Sequence, residues 1–446
     1  MNGGEASSAR SGVRRVLMVS PHFPPDSSAA AHRVRLLAPH LSAAGWEPTI
    51  VTMHPSAYES RLDPDLESLV PASLRIVRAS AWPARWTRRV GLGDLGVRGF
   101  TGLRQACRAL LASGRFDALF VTVYPVYPAL LGGALKAEFN VPFVLDYQDP
   151  WVGAWGRSVG GGDDGAADWK SRASRQLGVW LEPRAVRAAD ALVAVSQGTL
   201  DGVVERVPAI AETPQAVIPL GFEPGDFEQL SSAQKPFAHF DPSDGLVHLS
   251  YVGTLLPTGV DTLRLLLRAL VRARAADTAA TKLRLHFFGT SNQSAADRDR
   301  VMPIARELGV GAVVSEHAGR LDYLDALRVL VRSSGILLLG SSEPHYTASK
   351  LYPALLARRP LLALFHEGSS VVAVLRRAGG EPGVRVVTYG RTIGSDTQLE
   401  TVACHLRGLA NAPDCQPDAV TLDDVGFVSA RSLAGDLARV FDRVCA

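Results

Sequence analysis

The sequence predicts an α/β chain built as two doubly wound domains that face one another across a cleft. Three observations carry that expectation. Short apolar runs, each followed by a longer amphipathic segment, recur along the chain, as parallel β/α units require. The alternation restarts after a polar break at residues 228–245, which holds Pro236 and Pro242 and little periodicity. The 446 residues, 47% of them hydrophobic, suffice for two cores of ordinary domain size.

In the first half, strands are expected at 16–20, 49–53, 118–123, 143–147, 191–195 and 216–218, with helices at 29–44, 127–139 and 169–189. In the second half, strands are expected at 247–252, 283–288, 313–317, 336–339, 361–365 and 384–387. Helices there are expected at 261–276, 298–308, 322–333, 351–357 and 370–378. The boundaries follow: a Gly/Ser/Ala-rich tail over 1–14, a first domain over 15–227, a linker over 228–245 and a second domain over 246–427. A last segment, 428–446, has helical spacing and is expected to pack back across the boundary. Two stretches break the pattern. Residues 82–100 mix Trp82, Arg85, Trp86, Arg88, Arg89, Val97 and Phe100, and residues 153–167 are rich in Gly and Asp and read as a loop.

Composition narrows the function classes. Lys and Arg number 47 against 44 Asp and Glu, a formal net charge of +3 that gives no reason to expect a nucleic-acid partner. Cys107, Cys404, Cys415 and Cys445 lie far apart and lack paired metal-ligand spacing, so reduced thiols and no metal site are expected. No run approaches the roughly 20 apolar residues of a membrane-spanning helix, and the amino terminus lacks the apolar core of a signal peptide. A cytoplasmic protein is expected, with peripheral contact at the inner membrane face, if any, through 82–100. Oligomeric state is not legible.

Ligands of doubly wound sheets bind beyond the carboxyl ends of the strands, which places the site between the domains. The turn after the first strand, Ser20 to Ala29, is stiffened by three prolines and offers His22 and Asp26; it also reads as a rigid loop capped by Ser27 or Ser28. At and just beyond the end of the strand 143–147 come Asp146, Gln148, Asp149 and Trp151, carboxylates and an indole that suit sugar hydroxyls and a pyranose face. The alternative there is a strand end with Asp149 capping a turn before Pro150. Gly253 and Thr254 open the second domain's first strand–helix turn, where a glycine lets backbone N–H groups approach phosphate, or serves a tight turn only. Glu343, His345, Ser349, Lys350 and Leu351 follow the strand 336–339, placing hydroxyls, a cation and a helix start together, as a diphosphate requires. Ser349 as an ordinary cap, with Lys350 in solvent, is the alternative. Arg320, after the strand 313–317, either grips phosphate or sits at the surface.

In order, these pieces resemble GT-B glycosyltransferases of the retaining, family-4-like group, over almost the whole chain. The opening strand, Pro-rich turn and Ala31-His32-Arg33-Val34 look like that family's start, and Ala189-Asp190-Ala191-Leu192-Val193-Ala194-Val195-Ser196 is similar to its AD-x-hydrophobic-V-S strand. Ile218-Pro219-Leu220-Gly221-Phe222 resembles its domain-boundary motif. Ser349-Lys350-Leu351-Tyr352 with Ala357-Arg358-Arg359-Pro360 resembles its SKLxEYLAxGKP segment, and Asp149-Pro150-Trp151 a DPW variant. The resemblance implies two Rossmann-like domains, a nucleotide-sugar co-substrate with no other cofactor, and metal-independent transfer. It puts Gly253, Thr254, Arg320, Glu343, His345, Ser349, Lys350 and Leu351 on the donor. His22, Asp26, Asp146, Gln148, Asp149 and Trp151 would then face a small-molecule or glycan acceptor, with Asp149, His22 and Glu343 catalytic. The chain departs from the family in carrying no Arg or Lys in the turn 253–259. Pro353 stands where a ribose-binding glutamate would sit, His345 where the first glutamate would, and Leu220 where an asparagine would. Two alternatives stay open: a lipid-linked or cell-envelope acceptor at a membrane surface, and a non-catalytic GT-B-like partner protein.

Overall fold

The computed structural model describes residues 12–90, 93–152, 168–231, 236–291, 299–343, 348–378, 383–412 and 425–446. Seven parallel strands form the first sheet: β1 (Arg14–Val19), β2 (Trp46–Met53), β3 (Arg75–Ala79), β4 (Ala118–Thr122), β5 (Phe143–Tyr147), β6 (Ala191–Ala194) and β7 (Gln215–Val217), in the order β3-β2-β1-β4-β5-β6-β7. Six more form the second: β8 (Val247–Val252), β9 (Leu283–Phe288), β10 (Val314–His317), β11 (Gly335–Leu339), β12 (Leu361–His366) and β13 (Val384–Tyr389), in the order β10-β9-β8-β11-β12-β13. Each sheet therefore winds outward from a switch point, between β1 and β4 in one and β8 and β11 in the other, the Rossmann-type order.

Central strands such as β4, β5 and β11 are buried along their whole length and mostly apolar because helices cover both faces. On one face of the first sheet lie the helices Leu95–Ser113, Ala129–Phe139 and Asp168–Ala188, sharing a core with Leu119, Leu145 and Leu192. On the other face, the helix Ala31–Leu41 is joined by the helix Ala430–Val444, which arrives from the far end of the chain. Its Phe441 packs 5.1 Å from Trp46 and edge-on to Phe120. The crossing is fixed by backbone: Phe222 N–H donates to the Val428 carbonyl at 3.2 Å, and Ala430 N–H to the Phe222 carbonyl at 2.8 Å. Among the described residues, no helix is long and apolar enough to cross a membrane.

Several elements went unread in the sequence, among them β3 and the helices Leu95–Ser113, Gln197–Arg206 and Asp396–Asn411. β3 is an edge strand carrying Arg75 and Arg78, with little of the apolar signature of its neighbours. The 19-residue helix Leu95–Ser113 was masked by Gly96, Gly99 and Gly102, which lower helix propensity. Packing explains the glycines: a Cβ on Gly102 would lie 2.0 Å from the Ser80 carbonyl oxygen, and one on Gly99 2.3 Å from the Met53 sulfur. Residues 82–100 are thus two things. Trp82 and Trp86 stand exposed before the helix, whereas Phe100 packs inward from it onto the core. The expected loop at 153–167, the tail up to residue 11 and residues 232–235 of the linker lie outside the described residues.

Candidate active site between the two sheets

The two carboxyl edges meet around a cavity of about 210 Å³, lined from the first domain by Ser27, His32 and Leu36, and from the second by Gly253, Arg320 and Lys350. On the first-domain side, the turn after β1 bends His22 back onto Asp26. The His22 Nδ1 lies 2.6 Å from Asp26 Oδ2, Ser28 Oγ donates to the same oxygen at 2.5 Å, and Ser60 Oγ donates to Oδ1 at 2.5 Å. Asp26 is fully buried. Burial pushes its pKa up, but the His22 hydrogen bond and charge with the two serines outweigh that and hold it at about 2. A carboxylate on Nδ1 fixes the tautomer that leaves Nε2 as an acceptor. The ring is held between Tyr58, stacked at 6.0 Å, and Tyr124, at 5.3 Å.

Asp26 was expected to touch an acceptor, and the structure corrects this: both oxygens are occupied, so it orients His22. Asp146 is corrected likewise. It is fully buried in a bidentate pair with Arg33 (2.6 and 3.0 Å), whose remaining nitrogen donates to the Ile218 and Pro219 carbonyls. That pair ties β5 to the chain leaving β7. Trp151 does not present an open indole face; it packs edge-on to Tyr127 at 6.5 Å and lies against Gly178. Gln148 is half-buried, and its Nε2 finds no hydrogen-bond partner among the described residues. Asp149 is solvent-exposed at the rim, yet enough protein surrounds its carboxyl to raise the pKa by desolvation.

On the second-domain side, β8 and β9 are each followed by a glycine of positive φ, Gly253 (135°) and Gly289 (69°), and a Cβ on Gly289 would lie 3.9 Å from the Gly253 backbone. Lys350 lies over that turn. Its Nζ sits 4.0 Å above the Tyr251 ring and donates to Tyr251 Oη and, at 3.2 Å, to the Thr254 carbonyl. No carboxylate among the described residues pairs with it, and desolvation lowers its pKa to about 7. A Cβ on Gly253 would come within 3.2 Å of the lysine side chain, so the glycine makes room for it.

The short helix Leu351–Leu356 begins where Pro353 demands, with Lys350 as N-cap and Ser349 exposed. At six residues it contributes little dipole, and Leu351 is corrected to a core position, 1% exposed. Glu343 is half-buried, its N–H donating to Ser341 Oγ at 3.2 Å. His345 lies outside the described residues. Arg320 reaches across the cleft and donates to the Ser27 carbonyl.

Sequence reasoning missed what holds the domains together here. Asp63 accepts from Tyr323 N–H at 2.7 Å, Arg61 pairs with Asp322 at 2.9 Å, and Tyr323 Oη donates to Asp226 at 2.8 Å. It also missed Tyr124, whose position after the switch-point strand β4 was the available signal. Among the described residues, no group of three or more His, Cys, Asp or Glu is arranged to hold a metal ion.

Residues 28–221 match the model of the glycosyl transferase 4-like domain. The chain thus carries a glycosyl transferase 4-like domain within a two-sheet GT-B fold. Its fold is similar to that of an Anabaena protein, Alr3699/HepE, solved with UDP and glucose (12% identity, 96% of this chain and 100% of that one, TM-score 0.57). It is similar too to an α,α-trehalose-phosphate synthase (UDP-forming) from Burkholderia vietnamiensis (11%, 96% and 100%, 0.61). No curated protein sequence matches the chain.

Proposed function

We propose that this glycosyltransferase moves a sugar from a nucleoside-diphosphate sugar to a hydroxyl of a small-molecule or glycan acceptor, without a metal ion and with retention at the anomeric carbon. One observation carries the reading. Lys350 is a cation with no carboxylate partner among the described residues, set over two glycine turns at a switch point and facing a cavity roofed by the other domain. An anion is what that arrangement lacks. The diphosphate would lie on Gly253, Ser349 and Lys350, with Arg320 swung from Ser27 as a second cation. Glu343 would face the donor sugar. The Anabaena relative's complex with UDP and glucose, and the UDP-forming chemistry of the Burkholderia enzyme, favour a nucleotide-sugar donor.

On the acceptor side, His22 Nε2 would accept a hydrogen bond from the attacking hydroxyl, with Asp149 beside it. In the retaining course the hydroxyl's proton passes to the departing diphosphate oxygen on the same face of the sugar. The buried Asp26 behind His22 favours a second stereochemical reading, in which His22 takes that proton and attack from the opposite face inverts the centre. The anomeric coupling constant of the product, read by proton NMR, separates the two.

The test of donor use is a thermal-shift screen across UDP, GDP, ADP, TDP and CMP. A ligand of the native state alone stabilises it by about 2.7 kcal/mol at a hundred times Kd. At least one nucleoside diphosphate should shift the transition; none doing so at millimolar concentration would overturn the reading.

A further inference from the structure

The carboxyl rim of the first sheet carries large aromatic side chains that stand exposed. Trp82 is 59% exposed and Trp86 67%, on the segment that leaves β3. Across the same rim, Trp180 is 58% exposed and Val179 50%. These residues share a level. β3 and β5 run parallel, so both end at this rim. Gly178 packs against Trp151 and Val152, just beyond the end of β5, which sets Val179 and Trp180 at the height of the strand ends. The helices that follow β3 and β5 lie on the same face of the sheet. Tyr124, 41% exposed, stands on this rim beside His22.

Charge accompanies the aromatics. Arg85 and Arg89 are exposed, and no carboxylate among the described residues pairs with either. Arg88 pairs with Glu59 at 3.0 Å, and Arg184 lies 3.6 Å over the Trp180 ring. The nearby acids are engaged: Glu59 holds Arg88 and Arg98, and Asp94 caps the helix at Val97 N–H. Exposed tryptophans among unpaired arginines match one solvent best. An indole settles at the boundary of headgroups and acyl chains, and a guanidinium settles among lipid phosphates.

We infer that the first domain docks on an anionic lipid bilayer through Trp82, Trp86 and Trp180, with Arg85 and Arg89 against the headgroups. Docking there sets the acceptor side of the cleft, at His22 and Tyr124, toward the lipid surface. The contact is peripheral: short amphipathic patches bind reversibly and in proportion to anionic lipid. It stands independently of sugar transfer, because it rests on exposure and charge at the rim.

The test uses the full chain and sedimentation with vesicles, one set of phosphatidylcholine and one containing about a third phosphatidylglycerol, a content at which each basic residue near the surface adds roughly fivefold to partitioning. The expected result is co-sedimentation with the anionic vesicles only, weakened by salt, with a blue shift of tryptophan emission. The variant Trp82→Ala/Trp86→Ala should lose most of that binding, and Arg85→Glu/Arg89→Glu should lose at least tenfold, each with an unchanged thermal transition. Absence of binding to anionic vesicles would overturn the inference. So would variants that bind vesicles like the parent but change its oligomeric state, since the patch would then be a protein interface. Nucleotide binding, measured without vesicles, is unaffected by either outcome.

Discussion

The two switch points of this molecule hold their charges in opposite ways. Beside β1, Asp26 is surrounded by donors and each oxygen is occupied, and it holds His22 through Nδ1. Beside β8, Lys350 leans on a tyrosine ring and a carbonyl, with no counter-charge among the described residues and a pKa drawn down to about 7. A closed network positions a group that is already in its working state. An open one stores a charge deficit that a ligand completes. In the proposed function, that difference gives orientation to the first domain and anion capture to the second.

Breaking the first domain's other closed pair, Asp146 with Arg33, should cost most. Asp146→Ala leaves Arg33 buried without its carboxylate and is expected to destabilise the protein by about 3–5 kcal/mol, read from denaturant unfolding. A loss under 1 kcal/mol would mean the pair is not structural. His22→Ala should lower kcat about a hundredfold, the scale of a misplaced reacting group, while nucleotide affinity by calorimetry stays unchanged. A variant that lost nucleotide affinity instead would erase the distinction between the two sides.

The open site should respond to pH. A bound diphosphate favours charged Lys350, so binding takes up a proton. Affinity is expected to level off below about pH 7 and to fall by up to tenfold per pH unit above it. Stability of the empty protein moves the other way. The penalty for a charged, desolvated lysine is fully present below about pH 7 and fades as pH rises toward the ordinary lysine value. Calorimetry in buffers of different ionisation enthalpy reads the proton, and Lys350→Arg should flatten the profile. The smallest expected effect is that of EDTA, which should leave turnover intact; loss restored by magnesium or manganese would contradict metal-independent transfer.

Much of this was legible in the sequence. The strands 143–147, 247–252 and 283–288 fall at the expected residues, because fully buried parallel strands are apolar runs with abrupt ends. Pro353 set the start of its helix for a purely local reason. Reading failed where tertiary contact overrides local preference. The glycines of the helix Leu95–Ser113 exist for close packing on Ser80 and Met53, information carried by partners distant in sequence. At the site, strand ends named the right loops but not the side chains' partners. Asp26 and Asp146 look like ligand carboxylates in sequence, and only the fold shows His22, Ser60 and Arg33 closing around them.

The central claim is that Lys350 waits for a diphosphate, and calorimetry with nucleoside and nucleoside diphosphate tests it most directly. The nucleotide is the one that the thermal-shift screen selects. A charge-assisted hydrogen bond contributes roughly 1.5–3 kcal/mol. Lys350→Ala should therefore weaken the diphosphate about ten- to a hundredfold while leaving the nucleoside, already a poor ligand without a ribose-binding carboxylate at Pro353, unchanged. Equal affinity of parent and folded variant for the diphosphate, or an equal loss for both ligands, would contradict the account.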